Sequence, residues 1–432
     1  MHSNRRRFFK TAALAGAGYW AASTGALAAS RASPNEKLNM GAIGVGGKGV
    51  ENLNGIGSQN IVALCDIDEN SLAKAAEKHP KADRYHDFRK LLERKDLDAV
   101  VISTPDHTHA AAAAMALKLG KHVYVEKPMT HSLHEARVLT ELAAKAKLAT
   151  QMGNQHHSGE VYRRTAELIQ SGAIGTVGAV HAWSNRPIWP QGIDRPADAP
   201  AVPKHVHWEL WLGPAPARPY HPAYHPFKWR GWWEFGTGAL GDMGCHIIDP
   251  VFWALKLTAP STIEAEGPSV HAETAPKWCI IRYEFPARAK LPPVKLTWYD
   301  GGKLPPAELA EGVKLPANGA LFVGDRGQLL VPHGGGKWQL LPEAQFAEFK
   351  GPEPFLPRSA GHYADWIAAC KGGSPAGSNF SYAGPLTETV LLGNVALRVG
   401  KKLTWDSAGL QVSNCPEAAA LIRRDYRKGW SL

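Results

Sequence analysis

The run Leu38-Asn39-Met40-Gly41-Ala42-Ile43 leads into Gly44-x-Gly46-x-x-Gly49, and a helix-compatible segment follows. This order constrains the fold more than any other stretch, because it asks for a strand, a tight turn and a helix start within a dozen residues. Gly44 permits the turn, Gly46 lets backbone approach a pyrophosphate, and Gly49 lets the helix pack close to the strand; Gly47 belongs to the same loop. The free N–H groups and partial positive charge of the helix start suit phosphate. With 43 glycines a chance match is easy, so the motif needs its context.

That context follows directly. Ile61-Val62-Ala63-Leu64-Cys65 reads as a second strand, and Asp66 stands at its end, 22 residues after Gly44. A carboxylate there is placed to accept ribose hydroxyls and repels a 2′-phosphate, so the expected cofactor is NAD rather than NADP. From 38 to 153, strand-like runs (38–44, 60–65, 98–103, 121–126, 147–152) alternate with helical ones (48–57, 70–79, 86–94, 107–119, 131–146). The alternation predicts an α/β chain beginning with a doubly wound parallel sheet. Ser103-Thr104-Pro105 falls at a strand's carboxyl end, where such sheets bind ligands. His109 either joins that site or only packs the first helical turn. Val123-Tyr124-Val125-Glu126-Lys127-Pro128 ends another strand, with Lys127 aimed at the same cleft.

At the other extreme, residues 1–28 read as a targeting segment: Asn4-Arg5-Arg6-Arg7-Phe8-Phe9-Lys10 resembles a twin-arginine export motif. An Ala/Gly-rich run and Ala26-Leu27-Ala28 follow, and residues 29–37 form a polar linker. The apolar run is short and glycine-broken for a membrane span. The expected location is therefore the periplasm or another space outside the cytoplasm, with no stable membrane insertion. Removing the four basic residues of that segment lowers the net charge from +10 to +6, and the remaining basic residues are scattered, which gives no nucleic-acid face. Five cysteines without CxxC spacing argue against a disulfide framework and a cysteine zinc site.

The motifs Gly44-x-Gly46-x-x-Gly49, Asp66, Thr104-Pro105-x-x-x-His109 and Glu126-Lys127-Pro128 recur in this order in one family, the Gfo/Idh/MocA proteins (glucose–fructose oxidoreductase and inositol dehydrogenase). Gly236-Thr237-Gly238-Ala239-Leu240-Gly241-Asp242-Met243-Gly244-Cys245-His246-Ile247-Ile248-Asp249 resembles that family's second signature. The resemblance spans about residues 38 to 400. It implies an NAD-binding Rossmann domain (38–155) and a C-terminal α/β domain with a large open, mainly antiparallel sheet (156–432). A late helix at 384–400 would return to the first domain, and copies would associate through the second sheet. The residues after 155 agree, with strand-like runs at 176–186, 262–272, 277–286, 293–300 and 320–331 and helical ones at 359–371 and 384–400.

Carried over position by position, the resemblance makes Lys127, Asp242 and His246 a catalytic trio. Asp242 and His246 are four apart, hence on one helical face. A histidine can take a hydroxyl proton, a lysine can stabilise developing alkoxide charge, and the aspartate can hold either one. Glu126 and Lys127 are also expected at the cofactor, and Asn154 either bonds ribose or carboxamide or only forms a turn. Residues 183–235 hold seven of 15 tryptophans and ten prolines, a functional loop or a structural cover. Trp229 and Arg230 are its best candidates for substrate contact. Asp242, His246 and Asp249 at i, i+4 and i+7, with His205-x-His207, could face one ion, but none matches a compact zinc motif, and no metal is expected. The expected activity is oxidation of a secondary hydroxyl of a sugar, polyol or glycoside with tightly bound, recycled NAD. The alternative is an NAD-dependent glycosidase or lyase working by transient C3 oxidation, elimination and re-reduction. A non-catalytic sugar-binding protein that keeps NAD is a third, weaker reading.

Overall fold

Two sheets organise the part of the chain that a computed structural model describes, residues 36–269, 271–310 and 312–432. The export segment and nearly all of the linker lie outside those residues. Lys37–Leu432 forms one structural unit.

The first sheet contains β1 (Asn39–Ile43), β2 (Asn60–Cys65), β3 (Asp83–Tyr85), β4 (Ala99–Ile102), β5 (His122–Glu126) and β6 (Thr150–Gly153). All neighbours are parallel, in the order β3-β2-β1-β4-β5-β6. The strands are apolar because helices cover both faces; every residue of β4 is buried. The strand order reverses between β1 and β4, which opens a crevice at their carboxyl ends. β3 was not expected from the sequence: it is a three-residue edge strand, Asp-Arg-Tyr, too short and polar to show a period. The helical stretch expected at 86–94 shortens to Phe88–Leu92, because Asp87 caps it by accepting from the Arg89 N–H.

The second sheet holds β7 (Val177–Trp183), β8 (Thr262–Glu266), β9 (Ile280–Phe285), β10 (Val294–Tyr299), β11 (Gly319–Gly324), β12 (Gln328–Pro332), β13 (Gln339–Leu341), β14 (Leu403–Asp406) and β15 (Gln411–Val412). Its order is β13-β12-β11-β7-β10-β9-β8-β14-β15. Only the β7–β10 pair is parallel, so the sheet is mixed and mostly antiparallel. Gly324-Asp325-Arg326-Gly327, which reads in the sequence as a hairpin-like turn within 320–331, does join the antiparallel pair β11 and β12. The helix Glu160–Gln170 was not foreseen; it buries Tyr162, Ala166, Leu168 and Ile169.

The helix Phe380–Val399 starts before the expected 384, at an Asn379 cap, and is buried along most of its length. It lies against the helix Leu133–Ala146 of the first sheet layer, where Arg137 and Glu388 form a two-bond pair at 2.9 Å. Its other side meets the helix Gly238–Ile247, where Asn394 donates to the Thr237 carbonyl at 2.8 Å. Gly244 makes that second approach possible, since a Cβ there would sit 3.0 Å from Val390. All five cysteines are free and buried. Among the described residues, no helix is long and apolar enough to cross a membrane.

Candidate active site

A cleft of about 810 Å³ runs from the Gly44–Gly49 loop, past the carboxyl ends of β1, β2, β4 and β5, to the helix Gly238–Ile247 and the tip after β12. At the loop end the glycines are sterically required. Gly44 has φ +80°, and a Cβ on it would lie 2.7 Å from the Ser103 carbonyl oxygen. A Cβ on Gly49 would overlap the Gly44 carbonyl oxygen.

Asp66 holds this loop. Its Oδ2 accepts from the Val45 and Gly46 N–H groups at 2.8 and 3.2 Å, and its Oδ1 accepts from Asp68 N–H at 3.0 Å. Burial pushes its carboxyl above the ordinary value, and those same N–H groups pull the other way. A carboxylate has about four acceptor positions; three are used, which leaves one for a ribose hydroxyl. Thr104 lines the cleft with a buried hydroxyl oxygen that has no partner among the described residues. Pro105 lines it as well. Glu126 also borders the cleft, accepts from Asn52 and Gln155 at 3.0 and 2.9 Å, and is pushed up by burial. The glycine loop, one open acceptor position on Asp66 and the orphaned Thr104 hydroxyl together fit a dinucleotide.

Two residues expected at the cofactor lie elsewhere. His109 is buried behind the cleft, its ring nitrogens each 2.8 Å from a carbonyl oxygen, of Pro128 and of Thr104. It ties two cleft turns together from behind, so the packing role is the one the fold uses. Asn154 is fully buried, and neither amide atom has a partner among the described residues. It does not border the cleft; the next residue, Gln155, does, and donates to Tyr124 and Glu126, both at 2.9 Å.

At the far end Lys127, Asp242 and His246 converge on the cleft. Lys127 Nζ donates to Asp242 Oδ1 and to the Asp242 carbonyl, both at 2.7 Å. Asp242 therefore holds the lysine rather than the histidine. Burial pushes the Asp242 carboxyl up, but Lys127, Arg230 and Arg186 outweigh it and leave the group below its ordinary range. His246 lies one helical turn on, with Nδ1 buried and without a partner among the described residues. Burial, then the charge of Lys127, holds its imidazole well below the ordinary value, so the ring is neutral. Its ring centroid is 5.2 Å from that of His333, whose Nδ1 lies 2.7 Å from the Tyr162 hydroxyl oxygen. His333 is itself lowered to about 4, first by burial.

Several cleft residues carried no sequence signal. His333 and Asn318 come from loops with no motif, and Arg186 lies within the 183–235 stretch without a signal of its own. Asp106 opens the helix Asp106–Lys118, accepts from Thr237 at 2.7 Å, and is raised to about 7 by burial. Trp229 and Arg230 do border the cleft. The Arg230 guanidinium lies 4.3 Å from the Trp229 ring centroid and 4.7 Å from that of Phe227. Trp229 packs with Trp208, Trp211 and Trp232 in one small core of the loop, and Trp189 and Trp211 border the cleft as well. The loop also docks beside Asp66: His207 N–H donates to Ile67, and Glu69 N–H to His205, both at 2.9 Å.

The metal set weighed from the sequence is not assembled. Asp249 is fully buried, bonded to His157 at 2.9 Å and to the Tyr382 hydroxyl at 2.6 Å. Among the described residues, the group of three possible ligands whose atoms lie within 4.8 Å of one another is Glu69, His86 and His207, partly at the surface.

Comparison with known proteins agrees with both halves of this architecture. Residues 12–154 match a model described as an oxidoreductase family with an NAD-binding Rossmann fold, and residues 166–291 match the same family's C-terminal alpha/beta domain. A glycosyl hydrolase family 109 protein of Solibacter usitatus is 35% identical over 151 residues, 31% of this chain and 34% of that protein. An inositol 2-dehydrogenase of Salmonella paratyphi B is 30% identical over 150 residues, 33% of this chain and 45% of that protein. The matched stretch thus spans a third to under half the length of these curated relatives. The crystal structure of the WlbA dehydrogenase from Bordetella pertussis, in complex with NADH and UDP-GlcNAcA, superposes with a TM-score of 0.60 at 17% identity, covering 86% of this chain and 99% of that one. With two matched domains of one family in the expected order, the chain belongs to the Gfo/Idh/MocA oxidoreductase family.

Proposed function

We propose that this protein oxidises a secondary hydroxyl of a sugar, polyol or glycoside, with NAD as the cofactor. The observation that carries this reading is a paired lysine beside a neutral histidine, whose Nδ1 has no partner among the described residues, at the end of a cleft that begins at the glycine loop. Gly44, Gly46, Gly47, Asp66, Thr104 and Pro105 would hold the dinucleotide, with Glu126 and Lys127 beside it. When bound, it supplies the two-electron acceptor. His246 accepts the hydroxyl proton on a ring lone pair. The Lys127 ammonium, fixed by two bonds to Asp242, donates to the substrate oxygen and stabilises the negative charge that grows there. Asp242 keeps that ammonium aimed.

A second reading, redox-neutral glycoside cleavage through a transient ketone, is favoured by the likeness to a glycosyl hydrolase family 109 protein. The two share the trio and differ in fate. Export by the twin-arginine route and a cofactor kept in place are part of the proposal. The backbone bonds that strap residues 205–207 to residues 67–69 support retention, because they cover the edge of the cleft beside Asp66. Assembly of copies on the second sheet is proposed too; alternation along β8–β10 leaves Glu264, Arg282 and Lys295 on an exposed face.

The test is product analysis by mass spectrometry on alcohol and glycoside panels, using purified protein with its bound NAD quantified. Ketone formation that stops at one equivalent, and resumes with an acceptor sugar or fresh NAD, marks the dehydrogenase. Many turnovers of glycoside with no net reduced cofactor mark the cleaving enzyme. Neither outcome from protein shown to hold NAD would sink both readings.

A further inference from the structure

Three cations surround one carboxylate at the trio end of the cleft. Lys127 Nζ is bonded to Asp242 at 2.7 Å, Arg230 Nε lies 3.4 Å from Oδ1, and Arg186 Nε lies 3.8 Å from Oδ2. One negative charge faces three positive ones. The other acids nearby do not close the gap. Asp106 is bonded to Thr237 and raised to about 7, first by burial, and Glu126 is buried and also raised. Neither makes an ion pair with either arginine.

The two arginines are fixed but not saturated. Arg186 Nη1 donates to Asn185 Oδ1 at 2.6 Å, and Arg230 Nη1 donates to the Phe227 carbonyl at 3.1 Å. Nη2 of each makes no hydrogen bond among the described residues, and both residues border the cleft. Each side chain is about three-quarters buried, at 26% and 24% exposure, and Arg230 is also stacked on Trp229 and Phe227. The oxidation chemistry needs Lys127, Asp242 and His246 only, which leaves this pair without a task there. Guanidinium edges with free N–H groups match a carboxylate in planar geometry, and an excess of positive charge in a partly dry site favours an anion. Each free Nη2 carries two N–H groups, so the pair presents two planar edges that the two oxygens of one carboxylate can take up.

We infer that the substrate is a sugar acid, whose carboxylate docks on Arg186 and Arg230 while a ring hydroxyl lies at Lys127 and His246. This rests on the oxidoreductase reading for the hydroxyl, and on the arginines alone for the acid. It also separates this chain's task from oxidation of a neutral polyol.

The experiment compares methyl glycosides that differ only in the C6 group, glucuronide against glucoside, with the galacto and manno pairs beside them. NAD-loaded protein is titrated with each by calorimetry, and turnover is followed by mass spectrometry. The acid member of at least one pair should bind roughly 10-fold or more tightly than its neutral partner, the scale of charge-assisted hydrogen bonds. Arg186→Met and Arg230→Met should each shrink that acid-to-neutral ratio, and the double variant should bring it close to one. Bound NAD and melting temperature confirm that the variants are folded. Neutral sugars binding as well as their acids, a sugar phosphate preferred to every acid, a ratio that survives the double variant, or no binding by any pair would each overturn the inference. The outcomes separate it from the activity it rests on. Turnover of neutral sugars without acid preference leaves the oxidoreductase reading standing and removes this one, whereas tight acid binding without oxidation does the reverse.

Discussion

Replacing Asp242 by asparagine keeps the side chain's shape and removes the one charge that three cations share. In the native site Lys127 Nζ is 2.7 Å from the carboxylate, and the side chains of Lys127 and Asp242 are 15% and 12% exposed. Removing one partner of a buried pair costs roughly 3–5 kcal/mol, mostly because the other charge is left uncompensated. Here Arg186 and Arg230 are partly wet, so solvent takes up part of their charge and the expected loss is about 2–3 kcal/mol. For one unit of this length, at ~1 °C per kcal/mol, this is a fall in Tm of about 2–4 °C. The Asp242 carbonyl still holds Lys127, so the ammonium remains near but is less firmly aimed, and turnover should drop on the order of 10²-fold. The pH dependence has a definite sign. The folded carboxyl lies below its ordinary value of 3.8, so its contribution is present above that value and lost as pH falls through the folded value. Wild type and Asp242→Asn should therefore converge in stability only in strong acid, below about pH 4. Chemical denaturation at several pH values, with kcat measured on the true substrate, reads all of this. Adding Lys127→Met to Asp242→Asn should restore part of the stability, because it removes the stranded ammonium. If Asp242→Asn stays within about 0.5 kcal/mol of wild type, or if Lys127→Met destabilises it further, the pair is not what balances this end of the cleft.

Three other outcomes are expected. Gly49→Ala should abolish dinucleotide retention, since the new methyl overlaps the Gly44 carbonyl and the turn must open; NAD released from denatured protein measures this, and full occupancy would refute the steric account. His246→Ala should lower turnover by roughly 10²–10⁴-fold with NAD still bound. Because the native ring is held well below 6.5, kcat/KM of the wild type should show no histidine limb near that pH, and a limb at 6.5 lost in the variant would contradict the burial argument. Asp66→Ala should weaken NAD and relax discrimination against NADP, but it should also loosen the loop that Asp66 holds through Val45 and Gly46; unchanged preference in a titration of both cofactors would show that the ribose acid lies elsewhere.

Local order was legible in the sequence because it is set by local physics. The glycine turn, the alternating strands and helices, and the i, i+4 placement of Asp242 and His246 each follow from backbone sterics or periodicity over a few residues. What the tertiary structure alone decided are contacts between distant parts of the chain. Nothing in the spacing says that Asp242 takes Lys127 rather than His246, because Lys127 and Asp242 belong to different sheet layers, 115 residues apart, which Phe380–Val399 bridges with bonds to each. His109 and Asn154 were candidates for ligand contact from a motif and from a strand end; in the fold His109 bonds the Pro128 and Thr104 carbonyls instead, and Asn154 is fully buried. His333 was silent, and Arg186 did not stand out within the 183–235 stretch, because a loop residue has no period, and only the fold brings their ring and charge to the trio. The tryptophan-rich loop shows the same limit: composition announced aromatic faces, but only the fold packs Trp208, Trp211, Trp229 and Trp232 into one cluster and brings Trp211 and Trp229 of that cluster to the cleft.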